Sequence, residues 1–385
     1  MTTIRRIGRL RKAVFVHPVQ RMIAAVAVLG STASAQSTQA SAVTLLGEAL
    51  CGVCAVRLTS AGKFGLADDD GALRGFVRLV SRSKDGRVLI ANENGGAPQV
   101  YDSTGRFFKM LGRSGSGPGE FRHTSAMVPL NDGRWVIFDD GLRRINVFSA
   151  ELRYLTSFSS PVRTYDAAQW RNDSIVVAAN VATQAAFGMP LHTMRLGSDS
   201  LRSFAFDAVK PFGVKRIDRT HLAVVGIFLC AVRERRLAVT CSDGGNAPPT
   251  ELSMRVPWFT TDEPLRVSDS TPPVPILKTL TSLGPGQLAL AVLVPGSDWK
   301  RGVVSQNGPD GRTTEIVNYD VYYDTVILVI DIARKALISS TKVPQALTLA
   351  AGDGLFASMQ TLNDVPYIAL WRVQDSSPQP KRSKQ

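Results

Sequence analysis

A repeat of 47 residues constrains the fold of this chain more than any other feature of its sequence. Asp85-Gly86-Arg87 introduces a short apolar segment, and Asp132-Gly133-Arg134 introduces a similar one 47 positions later (132 − 85 = 47). Each is followed by further short apolar segments with turn-forming residues between them. A period of about 45 residues with about four short strands per unit is typical of proteins in which similar small sheets repeat around an axis.

The segment Gly112–Phe121 joins the two repeated units. It holds four glycines and one proline in ten residues, a composition that excludes a helix and interrupts a strand. We interpret it as the passage from one sheet to the next. A second Gly-rich passage, Gly62–Gly71, follows the predicted strand Val53–Leu58 in the same way. We therefore expect this first strand to be the outer strand of the last sheet, which would close the ring and remove an open sheet edge.

Six short apolar strands recur along the chain, and we interpret each as the inner strand of one sheet. They are Val88–Ala91, Trp135–Phe138, Ile175–Ala178, Leu237–Thr240, Leu288–Ala291 and Leu355–Ser358. A further strand follows each of them. The pattern predicts an all-β fold, a six-bladed β-propeller with four-stranded antiparallel blades and a ring closed by an N-terminal strand. Insertions at Asp243–Thr250 and Ser297–Tyr319 interrupt the fourth and fifth blades, and a seven-bladed count is the structural alternative.

The N-terminal stretch predicts an export signal. Basic residues precede the apolar run Met22–Leu29, and Ala33-Ser34-Ala35 offers the small residues needed for cleavage after Ala35. A membrane anchor, the alternative, needs about 20 apolar residues, more than this run holds. We predict a signal peptide over residues 1–35, a linker over 36–50, the propeller over 51–375 and a disordered basic tail over 376–385. The mature protein would then be located in the periplasm or outside the cell.

The formal net charge of +13 does not indicate a nucleic-acid partner. Six of the cations precede residue 36, so that removal of the predicted signal leaves +7 (13 − 6 = 7). The remaining surplus is spread along the chain, without the basic stripe and interleaved aromatic residues typical of nucleic-acid binding. We expect no nucleic-acid partner, and a monomer with no transmembrane segment in the mature protein.

Four cysteines remain after the predicted cleavage. An oxidising compartment favours disulfides, and we predict the pairs Cys51–Cys54 and Cys230–Cys241, the latter on neighbouring strands. Crossed pairing is one alternative. A structural zinc site built from all four is another, although the spacing of the second pair does not suit it.

A family resemblance rests on three segments of the chain: Gly112–Phe121, Trp135–Asp139 and Arg144–Phe148. Together with an exported N-terminus and a close cysteine pair before the first blade, they resemble the NHL-type six-bladed β-propellers, specifically the secreted bacterial 6-bladed beta-propeller proteins. The resemblance is specific over residues 76–160. It implies a disc with a central channel, in a family whose members are mostly binding scaffolds. Some propellers of related shape are metal-dependent hydrolases or lyases, so that the fold does not decide the chemistry.

Polar residues are predicted to gather on one face of the disc, around the mouth of the channel. Strand direction alternates within a blade, so that the loops after second strands and the loops between blades open on the same face. These loops carry the candidate ligand-binding residues Asn92, Asn94, Glu120, Asp139, Asp140 and Asn180. Converging side-chain oxygens suit a polar ligand or a hard cation, for which Asn92 and Asp139 are the candidate metal ligands. Alternatively, these residues only form turns with their own backbone.

Candidate catalytic residues are few. The chain lacks the motifs Gly-x-Ser-x-Gly, His-Glu-x-x-His and Gly-Lys-[Ser/Thr]. His123, at a blade junction, is the candidate catalytic residue, whereas His192 and His221 fall in predicted strands and His192 is expected to be packed. We therefore predict a non-enzymatic binding or scaffold protein with a protein, peptide or glycan partner and no cofactor. The alternative is a calcium-dependent hydrolase or lyase, similar to a lactonase, with its site at the central channel.

Overall fold

Six antiparallel sheets of four strands each form a ring in this protein, whose structure is a computed structural model. It describes residues 42–51, 55–66, 71–73, 75–93, 95–171, 174–180, 190–198, 200–204, 219–245, 247–259, 270–307, 313–363 and 365–375. The first strands of successive sheets contact each other around the ring, and the last of them also contacts the first. The prediction of an all-β, six-bladed propeller is confirmed.

The strands are numbered along the chain, and those of each blade run from the axis outward. Two strands precede the first blade in sequence, β1 (Ala42–Leu45) and β2 (Val56–Phe64). Blade 1 consists of β3 (Val77–Arg82), β4 (Val88–Asn92), β5 (Gln99–Tyr101) and β6 (Phe107–Met110). The passage to blade 2 holds β7 (Arg113–Ser114) and β8 (Glu120–Phe121), which pair in parallel.

Blades 2 and 3 follow without interruption. Blade 2 consists of β9 (Thr124–Pro129), β10 (Trp135–Asp139), β11 (Arg144–Phe148) and β12 (Tyr154–Ser159). Blade 3 consists of β13 (Arg163–Gln169), β14 (Ser174–Asn180), β15 (Leu191–Arg195) and β16 (Leu201–Phe204).

The second half of the ring contains an inserted segment. Blade 4 consists of β17 (Thr220–Val225), β18 (Phe228–Arg233), β19 (Ala238–Ser242) and β20 (Thr250–Ser253). Blade 5 begins with β21 (Ile276–Gly284) and β22 (Gln287–Pro295), and continues after the insertion with β25 (Tyr323–Asp331) and β26 (Ala336–Val343). The insertion holds a 3-10 helix (Trp299–Gly302), the hairpin β23 (Val303–Asn307) and β24 (Thr313–Val317), and the short helix α1 (Tyr319–Tyr322). Blade 6 consists of β27 (Leu349–Gly352), β28 (Leu355–Leu362), β29 (Val365–Asp375) and β2.

The sequence pattern predicts six apolar strands as the innermost strands of the blades. The structure shows that this prediction is wrong. In five blades the apolar strand corresponds to the second strand, and in blade 4 the segment Leu237–Thr240 falls on the third strand, β19. A second strand packs between neighbouring blades on both faces and is therefore mostly apolar, as in the fully buried β10, where Asp139 at the end is the one charged residue. The true innermost strands face the channel on one side, and the polar residues on that side interrupt their apolar pattern.

The N-terminal strand closes the ring as predicted. β2 pairs antiparallel with β29, in a register that runs from Val56 opposite Asp375 to Phe64 opposite Ile368. The buried ring of Phe64 contacts Tyr101 of blade 1 edge-on, with ring centroids 5.9 Å apart. The last blade is therefore held to the first through a residue from the beginning of the chain.

Residues 42–51, which we call the N-terminal edge segment, largely overlap the predicted linker but pack against two blades. β1 pairs in parallel with β20, the outer strand of blade 4. Leu46 is buried in the core between blades 4 and 5, and the amide of Cys51 donates to the carbonyl of Ile338 in blade 5. The linker expectation thus differs from the structure, because unpaired outer strands accept backbone hydrogen bonds that the local sequence pattern does not reveal.

The predicted disulfide between Cys230 and Cys241 is confirmed. The two residues face each other on β18 and β19, and both are buried. Cys51 is also disulfide-bonded, and its predicted partner Cys54 lies outside the described residues. None of the helices in the described part of the chain has the length and hydropathy needed to cross a membrane.

Candidate functional site: the central channel and its charged mouth

A cavity of about 800 Å³ occupies the centre of the ring. Residues from the innermost strands of all six blades line it. Its wall combines partly exposed apolar residues, among them Leu79, Ala167, Val224, Leu349 and Ala350, with polar residues such as Ser282 and Thr348. A cavity of this size lies within the range of about 300–1,000 Å³ that is typical of small-molecule sites.

Charged residues surround one mouth of this cavity. The innermost strands begin at this mouth, and the second strands end there, as the pairing of Val77 with Asn92 in blade 1 shows. Four blades contribute the polar lining residues Arg78, Glu93, Tyr165, Asp166, Arg219, His221, Lys278 and Tyr319, the last from the blade 5 insertion. This is the face on which the sequence predicted a cluster of polar groups.

Arg78 of blade 1 projects into the mouth and contacts His123 of blade 2. Its Nη1 atom donates to Nε2 of His123 over 2.6 Å, which makes that ring nitrogen the acceptor. Burial lowers the pKa of Arg78, and the nearby cation Arg219 adds to this effect, while Asp140 and Glu93 oppose it. His123, the candidate catalytic residue, therefore lies beside the mouth as a partner of an arginine.

His221 of blade 4 lies between two carboxylates. Its Nε2 atom is 3.4 Å from Oε1 of Glu234, and its Nδ1 atom is 4.0 Å from Oδ2 of Asp166. Lys278 of blade 5 approaches the same Glu234 oxygen at 3.7 Å. These residues form a network across blades 3, 4 and 5.

The two carboxyls beside His221 differ in the direction of their pKa shifts. Burial raises the pKa of Asp166, against the smaller effects of His221 and of the amides of Leu222 and Ala167, which both donate to it over 2.8 Å. Burial also acts to raise the pKa of Glu234, but the hydrogen bond with His221 and the charge of Lys278 together lower it. Asp166 therefore retains a proton more readily than Glu234, a division of roles that suits acid–base chemistry.

The insertion of blade 5 extends over the mouth toward blade 1. Tyr319 in α1 contacts Phe76, the residue before β3, with ring centroids 6.2 Å apart. The Asn318 side chain caps α1 by accepting the amide of Asp320 over 3.2 Å. Burial raises the pKa of Asp320 to about 6, and burial with the nearby Glu234 and Glu93 raises the pKa of Tyr319. The insertion thus forms part of the rim of the site.

Three candidate carboxylates accept hydrogen bonds from the loops at this face: Asp139, Asp140 and Glu120. Asp139 is buried, and it accepts the amides of Arg122, His123 and Leu142 at 2.7, 3.2 and 2.9 Å. Asp140 accepts the amide of Thr164 over 3.1 Å, and Glu120 binds Arg113 and the amide of Gly117. These contacts hold the blade junctions in place, which is the turn-forming role that the sequence left open. A ligand-binding role for the three stays a prediction.

The three asparagine candidates lie at the ends of second strands or beyond the described residues. Asn92 and Asn180 are the last residues of β4 and β14, and the Oδ1 atom of Asn92 is buried without a hydrogen-bond partner. Asn94 lies outside the described residues. Within the part of the chain that the structure describes, no group of three or more His, Cys, Asp and Glu side chains is placed to hold a metal ion. A calcium site at Asn92 and Asp139 therefore stays a prediction.

His192 is packed, as expected from its position in a strand. It is completely buried on β15, where Nδ1 contacts the Ser203 hydroxyl and Nε2 contacts the carbonyl of Ala179. Burial lowers its pKa to about 4, so that the imidazole is uncharged at neutral pH.

Sequence reasoning missed the residues that form the charged mouth: Arg78, Asp166, Arg219, Glu234 and Lys278. Most of them lie at or near the beginnings of the innermost strands, which the sequence analysis had not located. A charged residue inside or just before a short β-branched segment was the available signal. It marks a strand with one face in a polar channel.

Solved structures of other proteins share this fold. No protein-family model matches the chain, and no curated protein matches it. A Bacteroides fragilis protein that is described as an exported protein aligns with a TM-score of 0.54 and 12% identity, and the alignment covers 86% of this chain and 99% of that chain. A member of the DUF4221 family from Bacteroides vulgatus aligns with a TM-score of 0.54 and 9% identity, covering 84% and 99%.

A third structure is an enzyme of lower structural similarity. Virginiamycin B lyase from Staphylococcus aureus aligns with a TM-score of 0.44 and 10% identity, covering 82% of this chain and 99% of that chain. This similarity carries no argument about chemistry, and the resemblance to NHL-type propellers is not confirmed. The comparisons show that the chain has the fold of the two Bacteroides proteins, and they show the fold alone.

Proposed function

We propose that this protein is an exported β-propeller that binds a ligand in its central cavity, entered through the charged mouth. One observation carries the proposal: a cavity of about 800 Å³ lies beneath polar groups that converge from four blades. Concave, mostly apolar sites with a few convergent polar groups are typical of ligand binding. A peptide end, a sugar or another small molecule would fit within the cavity, and a larger partner could present such a group to it.

The cysteines support the exported part of the proposal. Every cysteine among the described residues is disulfide-bonded, and the Cys230–Cys241 bond joins adjacent strands in the core of blade 4. Disulfides of this kind form and persist in oxidising compartments. The basic and apolar N-terminal stretch predicts the route, with the cleavage position after Ala35 as an expectation.

The test is ligand binding that depends on the cavity. The full chain is expressed with its own N-terminal stretch, the exported form is purified, and its thermal unfolding is measured against panels of peptides and oligosaccharides. The variant Ala167→Phe places a ring in the cavity, and Thr156→Phe places the same ring on the exposed outer strand of blade 2. We expect a stabilising ligand that acts on the native protein and on Thr156→Phe but not on Ala167→Phe. Stabilisation that Ala167→Phe leaves unchanged would place the binding site elsewhere.

A second candidate function is a hydrolase or lyase at the same mouth. The observation in its favour is the imidazole of His221 between Glu234 and Asp166, because a histidine oriented by a carboxylate is a common general base. Calcium dependence is part of this candidate. We would assay lactone and ester turnover with calcium and with chelator, in the native protein and in His221→Gln. Turnover that His221→Gln abolishes would favour the enzyme over the binding protein.

A further inference from the structure

We propose that Arg78 and Arg219 together bind the carboxylate of a small molecule whose apolar body lies in the cavity below. This inference rests on the proposed function, because it names the class of ligand for the same cavity. Three features of the mouth carry it: the placement of the two arginines, the state of the neighbouring carboxylates and the composition of the wall.

The two arginines approach each other from opposite sides of the channel. Arg78 belongs to blade 1 and Arg219 directly precedes the innermost strand of blade 4, three blades away in a ring of six. Both line the cavity, and the charge of Arg219 lowers the pKa of Arg78. Two like charges that converge at a concave site repel each other, and an anion bound between them would remove that repulsion.

Neither arginine has a carboxylate partner among the described residues. Within the described part of the chain, the Arg78 side chain hydrogen-bonds to His123 alone, and Arg219 forms no ion pair within 4.0 Å. A guanidinium group carries five N–H donors arranged in a planar fork that suits a carboxylate. Most of these donors are therefore available to a ligand at the mouth.

The nearby carboxylates are largely engaged elsewhere. Asp140 accepts the amide of Thr164, Glu234 faces His221 and Lys278, and Asp166, whose pKa is raised, accepts two backbone amides. Among the described residues, Glu93 has no side-chain contact of this kind. A backbone amide leaves the charge of Asp140 in place, so that the two arginines face two carboxylates, Asp140 and Glu93, which both act on Arg78. The charges at the mouth therefore roughly balance, and a monoanion fits between the two guanidinium groups better than a phosphate dianion.

The wall below the arginines suits an apolar ligand body. Leu79, Ala167, Val224 and Leu349, from blades 1, 3, 4 and 6, are partly exposed apolar residues of this wall. Burial of a hydrocarbon body against such a wall provides affinity, whereas the arginines fix the position of the acidic group. A free acid with an alkyl chain and the C-terminus of an apolar peptide both present this combination.

Isothermal titration with matched probes tests the inference. The probes are octanoate, octanol and octyl phosphate, together with an N-acetylated apolar dipeptide as the free acid and as its C-terminal amide. The variants are Arg78→Met and Arg219→Met. The control is Arg106→Met, because Arg106 lies in an exposed turn on the opposite face. Arg78→Lys and Arg219→Lys keep the positive charge, so that they remain useful if a methionine variant fails to fold. Circular dichroism measures whether each variant is folded.

We expect an acid to bind at least tenfold more tightly than its neutral counterpart, since a charge-assisted hydrogen bond contributes about 1.5–3 kcal/mol and each 1.4 kcal/mol is about tenfold in affinity. Arg78→Met and Arg219→Met should each remove on the order of tenfold from acid binding and leave neutral binding unchanged. Arg106→Met should change neither. The octanoate and dipeptide arms distinguish a free acid from a peptide C-terminus.

Three outcomes would overturn the inference. In the first, acid and neutral probes bind with equal affinity and Ala167→Phe abolishes the binding of both. The cavity would then be a binding site in which the arginines have no role. Tighter binding of octyl phosphate than of octanoate would replace the carboxylate by a phosphate. Absence of binding by every probe would reject the ligand class, while the separate peptide and oligosaccharide panels would still decide the proposed function.

Discussion

The Oε1 atom of Glu234 lies 3.4 Å from Nε2 of His221, and this contact links the residue that follows β18 to the first strand of blade 4, β17, at the channel mouth. Lys278 approaches the same oxygen from blade 5. The pKa of Glu234 is lowered from the ordinary value of 4.5 because these partners outweigh its burial. A carboxyl with a lowered pKa stabilises the folded state above its unfolded pKa, and that contribution is lost as the pH falls through the folded value.

The first prediction follows from this sign. Glu234→Gln should lower the free energy of unfolding at pH 7 by about 1 kcal/mol, the value of a partly buried ion pair. The difference from the native protein should shrink as the pH falls below 4.5 and the native carboxyl also becomes neutral. Urea unfolding at pH 7 and at pH 3 measures this difference in the free energy of unfolding. The control is Glu48→Gln, on the exposed part of the N-terminal edge segment. A difference that is the same at both pH values would contradict the electrostatic explanation.

The second prediction concerns two adjacent leucines of the N-terminal edge segment. Leu46 is 6% exposed in the core between blades 4 and 5, whereas Leu45 is 55% exposed. Leu46→Ala should lower the free energy of unfolding by about 2–3 kcal/mol, because it removes buried methyl groups and leaves a cavity. Leu45→Ala should change it by less than about 0.5 kcal/mol. Similar losses in the two variants would mean that the segment does not pack as described.

The third prediction concerns the blade junction at Gly112. This residue has a φ of +85°, and a Cβ atom would lie 2.2 Å from the carbonyl oxygen of Gly119. Gly286 has a similar φ of +77° but open space around its Cβ position. Gly286→Ala should cost about 1 kcal/mol for the backbone conformation alone.

Gly112→Ala should cost more than Gly286→Ala, because it adds the steric clash to the same conformational cost. Thermal unfolding of the two variants, measured side by side, separates the two effects. Equal midpoints would show that the junction accommodates a methyl group and that its glycine is required by φ alone.

The fourth prediction concerns the disulfide of blade 4. The Cys230–Cys241 bond closes a loop with a sequence separation of 11. Replacement of both cysteines by alanine should lower the free energy of unfolding by about 3 kcal/mol, mainly because the unfolded chain regains freedom. Urea unfolding of the double variant measures this loss. Because both sulfurs are buried, the folded native protein should resist a reductant that acts readily on the unfolded protein. Rapid reduction under native conditions would contradict this.

Local sequence patterns were enough to predict the architecture. Period, turn chemistry and alternating apolar residues are short-range features, and they sufficed for six blades, for ring closure by β2 and for the Cys230–Cys241 pair. The same features misplaced the innermost strands, because a strand with one face in a polar channel lacks the continuous apolar pattern of the strand beside it.

Which residues meet at the channel depends on the assembled ring. Arg78 and Arg219 are 141 positions apart (219 − 78 = 141), and no local pattern connects them. Closure of the ring brings them to one mouth, where burial and neighbouring charges shift the pKa values of Arg78, Asp166 and Glu234. These effects depend on distances between blades, across the axis for Arg78 and between adjacent blades for Asp166 and Glu234, and such distances exist only after the blades have assembled.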